Sequence, residues 1–369
     1  MSEYLYTTPP IDRAVGVRRH VMTTSMRSFG GWGYREIQVP LLHYFEALRD
    51  GLDDEQIERS FRFVDRAGNL MVLRPDVTPV IAQTFAQMRS PQLPFRVSYT
   101  HKIVRIERSF TRDQLESYQL GIEHIGGDEL LADVEVLLVA FEVMERLGLS
   151  DFQISIADHH IANYLLKACG APSRIRDQIR GALVARDEDE ARALLNRLGA
   201  RSEYVQGILA MASLKGGPEQ LQQIRYAFPS DRTVQRRLDY LERLISVLDD
   251  LGWGDRYRLE LAELTGSSYY TGIGFVLLSE GASRELGRGG RYDSLIGMYG
   301  KQTPAVGFSL SLDTVVQALE PTSNHFSEAE AAEELCSVDP NDPVEGFRAA
   351  LKLRESDQLL KLVEQGGVE

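Results

Sequence analysis

The side chains best suited to chemistry in this sequence are a few acids, one arginine, a tyrosine pair and a glycine-rich run. Arg105 ends an apolar stretch, and a guanidinium pairs bidentately with a carboxylate, so a single such residue can orient an amino acid. Asp76 and Thr78 stand in Leu73-Arg74-Pro75-Asp76-Val77-Thr78-Pro79, just ahead of a helical pattern, where either could cap the helix. Gln119 and Glu123 alternate with Leu120 and Ile122, which taken alone is ordinary strand polarity. Tyr269-Tyr270 could be sheet residues with phenol tips in water. In Gly287-Arg288-Gly289-Gly290-Arg291-Tyr292-Asp293, the missing side chains allow close backbone approach, so two arginines and a tyrosine could reach a bound group. The adjacent His159-His160 invite a metal, but helical neighbours diverge by about 100° and ligand pairs sit three or four apart, so no metal is expected.

These residues need elements to hold them. A helix is expected over 11–29, then a strand at 33–40 closed by Pro40. Runs 61–65 and 70–73 flank Gly68-Asn69 as a hairpin, with a helix from Val80 to Met88. Strands are expected at 95–107 and 116–123, joined by a polar loop at 108–115. Leu130, Val134, Leu137, Leu138, Phe141 and Met144 recur at helical spacing, and Gly148 stops them. A strand at 153–158 opens another helix. Residues 173–250 are rich in Arg, Glu, Gln, Ala and Leu with no strand pattern, and Leu238, Leu241, Leu244, Ile245 and Leu248 form an apolar stripe. Arg174, Arg176 and Arg180 there could touch RNA, although mixed charge on exposed helices is commoner. Strand character returns at 257–263, and Pro304–Thr314 alternates like a strand entering a helix. Pro321–Ser337 looks like an acidic linker, and 344–363 a short helical piece.

The chain has 369 residues, 43% hydrophobic and 26% charged, which is ordinary for a globular protein of one large and one or two small domains. No run of eighteen apolar residues exists, so no membrane span is expected. Met1–Tyr4 lack a basic segment followed by an apolar core, and the cytoplasm is the expected address. Cys169 and Cys336 show neither metal nor redox spacing. With 54 acids against 41 bases the net charge is −13, which counts against nucleic acid as a partner.

Four stretches resemble class II aminoacyl-tRNA synthetases of the histidyl type, in the family's order, across residues 5–320. Gly33–Pro40 resembles motif 1, which builds the dimer interface in that family. Leu73–Thr78 resembles Leu-Arg-Pro-Glu-Gly-Thr, whose acid and threonine hold the α-ammonium of histidine. Asp76 and Thr78 match them, the aspartate one methylene shorter. Arg105 and Glu107 match the Phe-Arg-x-Glu of motif 2, with Val104 for the phenylalanine, and Gln119–Glu123 matches Gln-Phe-Gly-Val-Glu. Tyr269-Tyr270 match the tyrosines of a histidine-specific signature. The implied fold is α+β: an antiparallel sheet flanked by helices as in class II synthetases, with a helical insertion and a short C-terminal remnant. The expected division is 1–172 and 251–320 for the core, 173–250 for the insertion and 321–369 for the acidic linker and remnant. The implied histidine site is Asp76, Thr78, Arg105, Gln119, Glu123, Tyr269 and Tyr270.

The nucleotide side departs from that family. Asp313-Thr314 replace its Glu-Arg, Ser311 replaces a glycine, and Thr265 stands for an arginine that activates the carboxylate. Asp113, Leu115 and Ser117 replace two arginines and a phenylalanine of the motif 2 region. Losing one preorganised donor typically costs about 10²–10³ in rate. A synthetase-like core with a histidine pocket but no ATP clamp resembles the regulatory subunits of ATP phosphoribosyltransferase. The resemblance implies a non-catalytic subunit without cofactor, required by a short-form catalytic partner, homodimeric within a hetero-oligomer and bringing histidine feedback to the first step of histidine biosynthesis. The alternative is a truncated histidyl-tRNA synthetase-like enzyme that adenylates histidine or another acceptor.

Overall fold

The chain mixes helices and strands from Arg13 onward. The structure is a computed structural model and describes residues 13–106, 115–213, 219–261 and 269–319, with two strands at 334–338 and 360–364. Helix α1 (Arg13–Gly31) leads to β1 (Arg35–Glu36), β2 (Leu42–Tyr44), the short α2 (Phe45–Leu48) and α3 (Asp54–Glu58), and the hairpin of β3 (Arg62–Val64) and β4 (Leu70–Leu73). Then follow α4 (Thr78–Gln87), β5 (Phe95–Val104), β6 (Glu116–Ile125), α5 (Glu129–Arg146), β7 (Gln153–Asp158) and α6 (His159–Ala168). Between Ser173 and Asp250 every described element is a helix: α7 (Ser173–Val184), α8 (Glu188–Arg197), α9 (Ser202–Ser213), α10 (Glu219–Ala227) and α11 (Arg232–Asp250). The chain closes through β8 (Tyr257–Leu259), β9 (Ile273–Leu278), β10 (Gly287–Arg291), α12 (Leu295–Met298), β11 (Ala305–Ser311), α13 (Leu312–Leu319), β12 (Glu334–Val338) and β13 (Leu360–Glu364).

Eight strands form one sheet in the order β1-β5-β6-β11-β10-β9-β7-β8. The six central strands are antiparallel neighbours, and a parallel strand closes each edge, β1 on β5 and β8 on β7. Because side chains alternate across a strand, Leu120, Ile122, Val306, Phe308 and Leu310 share one face, under α1, α5 and α13. Asp128 begins α5 by accepting from the Leu131 amide at 3.1 Å, and Gly148 leaves the helix region at φ 79°. The opposite face carries Val97, Tyr99 and Ile125, and packs on α4 and α12 through Ile81, Phe85, Leu295 and Ile296. That second face is the one with chemistry.

Helix α11 starts at Asp231, whose carboxylate accepts from the Thr233 and Val234 amides at 3.0 and 3.1 Å. Its stripe of Val234, Leu238, Leu241, Ile245 and Leu248 is buried, as the spacing predicts. Each leucine so buried contributes about 1.5–3 kcal/mol.

Two expectations at the C-terminus are corrected. Glu334–Ser337, placed in a linker, and Leu360–Val363, placed in a helical piece, belong to strands paired in parallel, Cys336 beside Leu362. Leu-Cys-Ser-Val and Leu-Lys-Leu-Val alternate at strand period, a pattern too short to stand out among the surrounding helix formers. The rest of 321–359 lies outside the described residues, as do Glu107, Asp113 and Thr265. No helix among the described residues is long and apolar enough to cross a membrane.

Candidate functional site

Glu123 points from β6 into the second face and is only 1% exposed. Its register partner on β11 is Gly307, where an added Cβ would overlap the Glu123 carboxylate. Gly307 pairs with Gly290 of β10, and Gly290 with Gly274 of β9. The sheet floor therefore has three side-chain-free positions in a lateral row. Three polar groups lie flat across them. The Glu123 carboxylate covers Gly307, the Tyr270 ring passes 3.0 Å from where a Gly290 Cβ would be, and His159 Nε2 comes within 2.5 Å of a Gly274 Cβ.

Hydroxyl groups surround Glu123. Thr78 Oγ1 donates to its Oε1 at 2.7 Å, the Tyr99 hydroxyl reaches the same oxygen at 3.4 Å, and the Tyr292 hydroxyl donates to Oε2. Burial pushes the Glu123 carboxyl up to about 8; the donors pull it down, and the nearby Asp76 charge adds to the rise. Asp76 accepts from Gln56 Nε2 at 2.9 Å, the Tyr269 hydroxyl at 3.3 Å and the Val77 amide at 2.8 Å. Gln119 Oε1 accepts from the same Val77 amide at 3.3 Å. The hydrogen bonds to both acids come from neutral groups, so their acceptor oxygens are suited to an ammonium or to a ring N–H.

The loop that presents Asp76 is fixed from behind. Arg74 is buried and donates to the carbonyls of Val39, Pro40 and Lys102, which ties the loop to β5. Neither Asp76 nor Thr78 caps α4: the N-cap is Val77, with no side-chain cap, and the Thr78 hydroxyl is spent on Glu123. Aromatic rings wall the pocket. Tyr269 meets Tyr270 edge-on at 5.4 Å and Tyr292 at 5.8 Å, and the buried His159 supports Tyr270 at 5.3 Å. Among the described residues the Tyr270 hydroxyl has no hydrogen-bond partner, and it remains available to a ligand.

Asp76, Thr78, Gln119, Glu123, Tyr269 and Tyr270 thus come together. Arg105 sits on the same face one residue past β5, half-buried and bridged to Ser60, at the end of the strand remote from Glu123. The expectation that both arginines of the glycine run face a bound group needs correction. Arg288 shares the face of Gly290 and pairs with Glu285 at 2.5 Å, whereas Arg291 alternates to the other face and binds Asp133 at 2.6 Å. Sequence reasoning left Tyr292, Tyr99, Gln56 and His159 out of the site. Strand parity with Glu123 could have found Tyr99, and Tyr292 stood inside the glycine run already singled out. No local signal marks Gln56, whose visible role is a capping box with Asp53. Of the divergent nucleotide positions, Asp313 is ion-paired with Arg18 and the Thr314 hydroxyl donates to Ser311 at 3.0 Å.

The family model described as histidyl-tRNA synthetase matches residues 12–315. An ATP phosphoribosyltransferase regulatory subunit from Halothermothrix orenii is 33% identical over 289 residues, 78% of this chain and 68% of that protein. A solved structure from Bacillus halodurans, described as an ATP phosphoribosyltransferase regulatory subunit/histidyl-tRNA synthetase, superposes with a TM-score of 0.84 at 25% identity, covering 100% of this chain and 93% of that one. The histidyl-tRNA synthetase of a Nostoc species, 17% identical with a TM-score of 0.77 over 100% of this chain and 88% of its own, shares the fold. The chain belongs to the histidyl-tRNA synthetase family and, within it, to the ATP phosphoribosyltransferase regulatory subunits.

Proposed function

We propose that this chain binds histidine in the Glu123 pocket, joins a short-form ATP phosphoribosyltransferase catalytic subunit, and passes histidine feedback to it. The observation that carries the reading is the pair of buried acids, Asp76 and Glu123, held only by neutral donors beside the unused Tyr270 hydroxyl. Asp76 and Gln119 suit an α-ammonium, and Arg105 a carboxylate. Glu123 and Tyr270 suit the two nitrogens of an imidazole, one at each end of the ring. On the nucleotide side, Asp313 is paired with Arg18 and Thr314 with Ser311, and neither offers a guanidinium to a triphosphate. Inhibition follows if histidine favours one state of the assembly over another, since equal binding to both shifts nothing.

The test is to combine this protein with the short catalytic subunit and measure phosphoribosyl transfer with and without histidine. Activity that needs both chains and falls with histidine supports the proposal. ATP–pyrophosphate exchange driven by histidine with this chain alone would instead establish an adenylating enzyme.

A further inference from the structure

Behind the pocket, on the opposite face of the sheet, lies a chain of charges buried at its centre and open to solvent at Glu129 and Asp293. Arg291 donates to Asp133 Oδ1 through Nη2 and Nε at 2.6 and 3.0 Å, to Asp293 at 3.0 Å and to the Glu129 carbonyl at 3.0 Å. The second oxygen of Asp133 receives the Tyr240 hydroxyl from α11. One turn earlier on α11, Arg237 donates to Glu129 at 2.6 Å and to Asp158 at 2.7 Å, its guanidinium lying 4.1 Å from the Tyr240 ring. Asp133 and Asp158 are wholly buried, and Arg291 and Arg237 nearly so.

Each end of this network holds part of the pocket. Arg291 directly precedes Tyr292, and its carbonyl accepts from the Thr271 amide at 2.7 Å, next to Tyr269-Tyr270. Asp293 N donates to Thr271 Oγ1 at 3.0 Å, closing the stitch. Gly272 leaves the space through which Arg291 passes: a Cβ there would lie 2.8 Å from Arg291 Cδ. Asp158 caps α6 at the Ile161 amide at 2.8 Å, so it fixes His159, the residue under Tyr270. The hydroxyls of Tyr269, Tyr270 and Tyr292 therefore depend on backbone segments pinned from behind by α5 and α11.

We infer that Arg291, Asp133 and Tyr240 are positioning residues, and that α11 is the element through which the helices of 173–250 and the pocket sense each other. A shift of α11 takes Tyr240 from Asp133, loosens Arg291 and frees Tyr292 from Glu123. A ligand that tightens Tyr292 on Glu123 acts along the same line in reverse, because coupling is reciprocal. Uncompensated buried charge makes the line stiff: removing one partner strands the others without water. Where the ligand is taken to be histidine, the inference rests on the function proposed above.

The test uses the full chain, its Tyr240→Phe variant, which loses one hydroxyl and keeps the ring over Arg237, and Asp133→Asn as a second variant. Histidine affinity is measured by calorimetry, and amide exchange by mass spectrometry over 269–273, 287–293 and α11. We expect affinity to weaken by roughly fivefold or more, with faster exchange at 269–273 and 287–293 and none of this in β5. Saturating histidine on the parent protein should slow exchange in α11. A lowered Tm with affinity and pocket exchange unchanged in both variants would reduce the network to a stabilising contact and overturn the inference. If the parent binds no histidine while Tyr240→Phe still loosens 269–273 and 287–293, the positioning role stands and the histidine reading falls.

Discussion

Replacing Glu123 with glutamine should remove a loss of stability that this protein suffers as pH rises. In the folded chain the Glu123 carboxyl titrates at about 8 against 4.5 for an ordinary glutamate. Between those values the folded protein keeps a proton that the unfolded chain gives up, so stability falls as pH rises through the window. Below it both states are protonated and nothing is lost; above it the full cost of a buried carboxylate is present. A shift of that size corresponds to roughly 5 kcal/mol, an upper figure because a buried site relaxes and admits water. His101 and His159, which burial drives down to about 4, titrate in both proteins and cancel in the difference. Urea midpoints of parent and Glu123→Gln at several pH values from about 5 to 8.5 give that difference. The parent should lose at least about 2 kcal/mol relative to the variant across the range. Parallel curves would mean that Glu123 is already ionised in the folded protein, and the electrostatic picture of the pocket would be wrong.

Three further outcomes follow from the same site. Histidine affinity should peak between the free imidazole, at about 6.5, and Glu123, at about 8, because one proton is shared between them; calorimetry against pH reads it, and Glu123→Gln should flatten the upper limb. Histidine should raise the Tm by mass action, and Arg105→Ala or Tyr270→Ala should abolish that rise while the unliganded chain stays folded, as thermal melts would show. Gly307→Ala should cost roughly 1–3 kcal/mol by overpacking and eliminate histidine binding, since its methyl group takes the place of the Glu123 carboxylate; a melt and a titration on one sample decide both.

Much of the frame was legible because most elements advertise themselves. Helix α5 carries its apolar spacing and a Gly148 stop, and the hairpin of β3 and β4 shows its turn at Gly68, which adopts φ 87°. Strand β9 escaped because Ile273-Gly274-Phe275-Val276-Leu277-Leu278 is nearly all apolar and buried on both faces, leaving no alternation to detect. Strand β2, of three residues, is too short to signal anything. The acids and paired tyrosines of the pocket were readable from motif positions. Strand parity puts Tyr99 on the face of Glu123 and Tyr292 stands in the glycine run, but that both hydroxyls meet at the Glu123 carboxylate depends on cross-strand register. The face taken by Arg291 is likewise invisible in a linear run of glycines and arginines. Its partners Asp133 and Tyr240 are distant in the chain and meet only when α5 and α11 pack.

The row of bare backbone beneath Glu123, Tyr270 and His159 also governs what the pocket can discriminate. Its bottom is main chain, held in place by ladder bonds on both sides, so it cannot yield as a bed of flexible side chains would. On the proposed function, a compound even slightly longer than histidine must pry a ring off the sheet, and a shorter one leaves an acid stranded without its partner. Size selection here is thus a rigid gauge cut into the strands, and retuning it calls for moving strands rather than swapping lining residues.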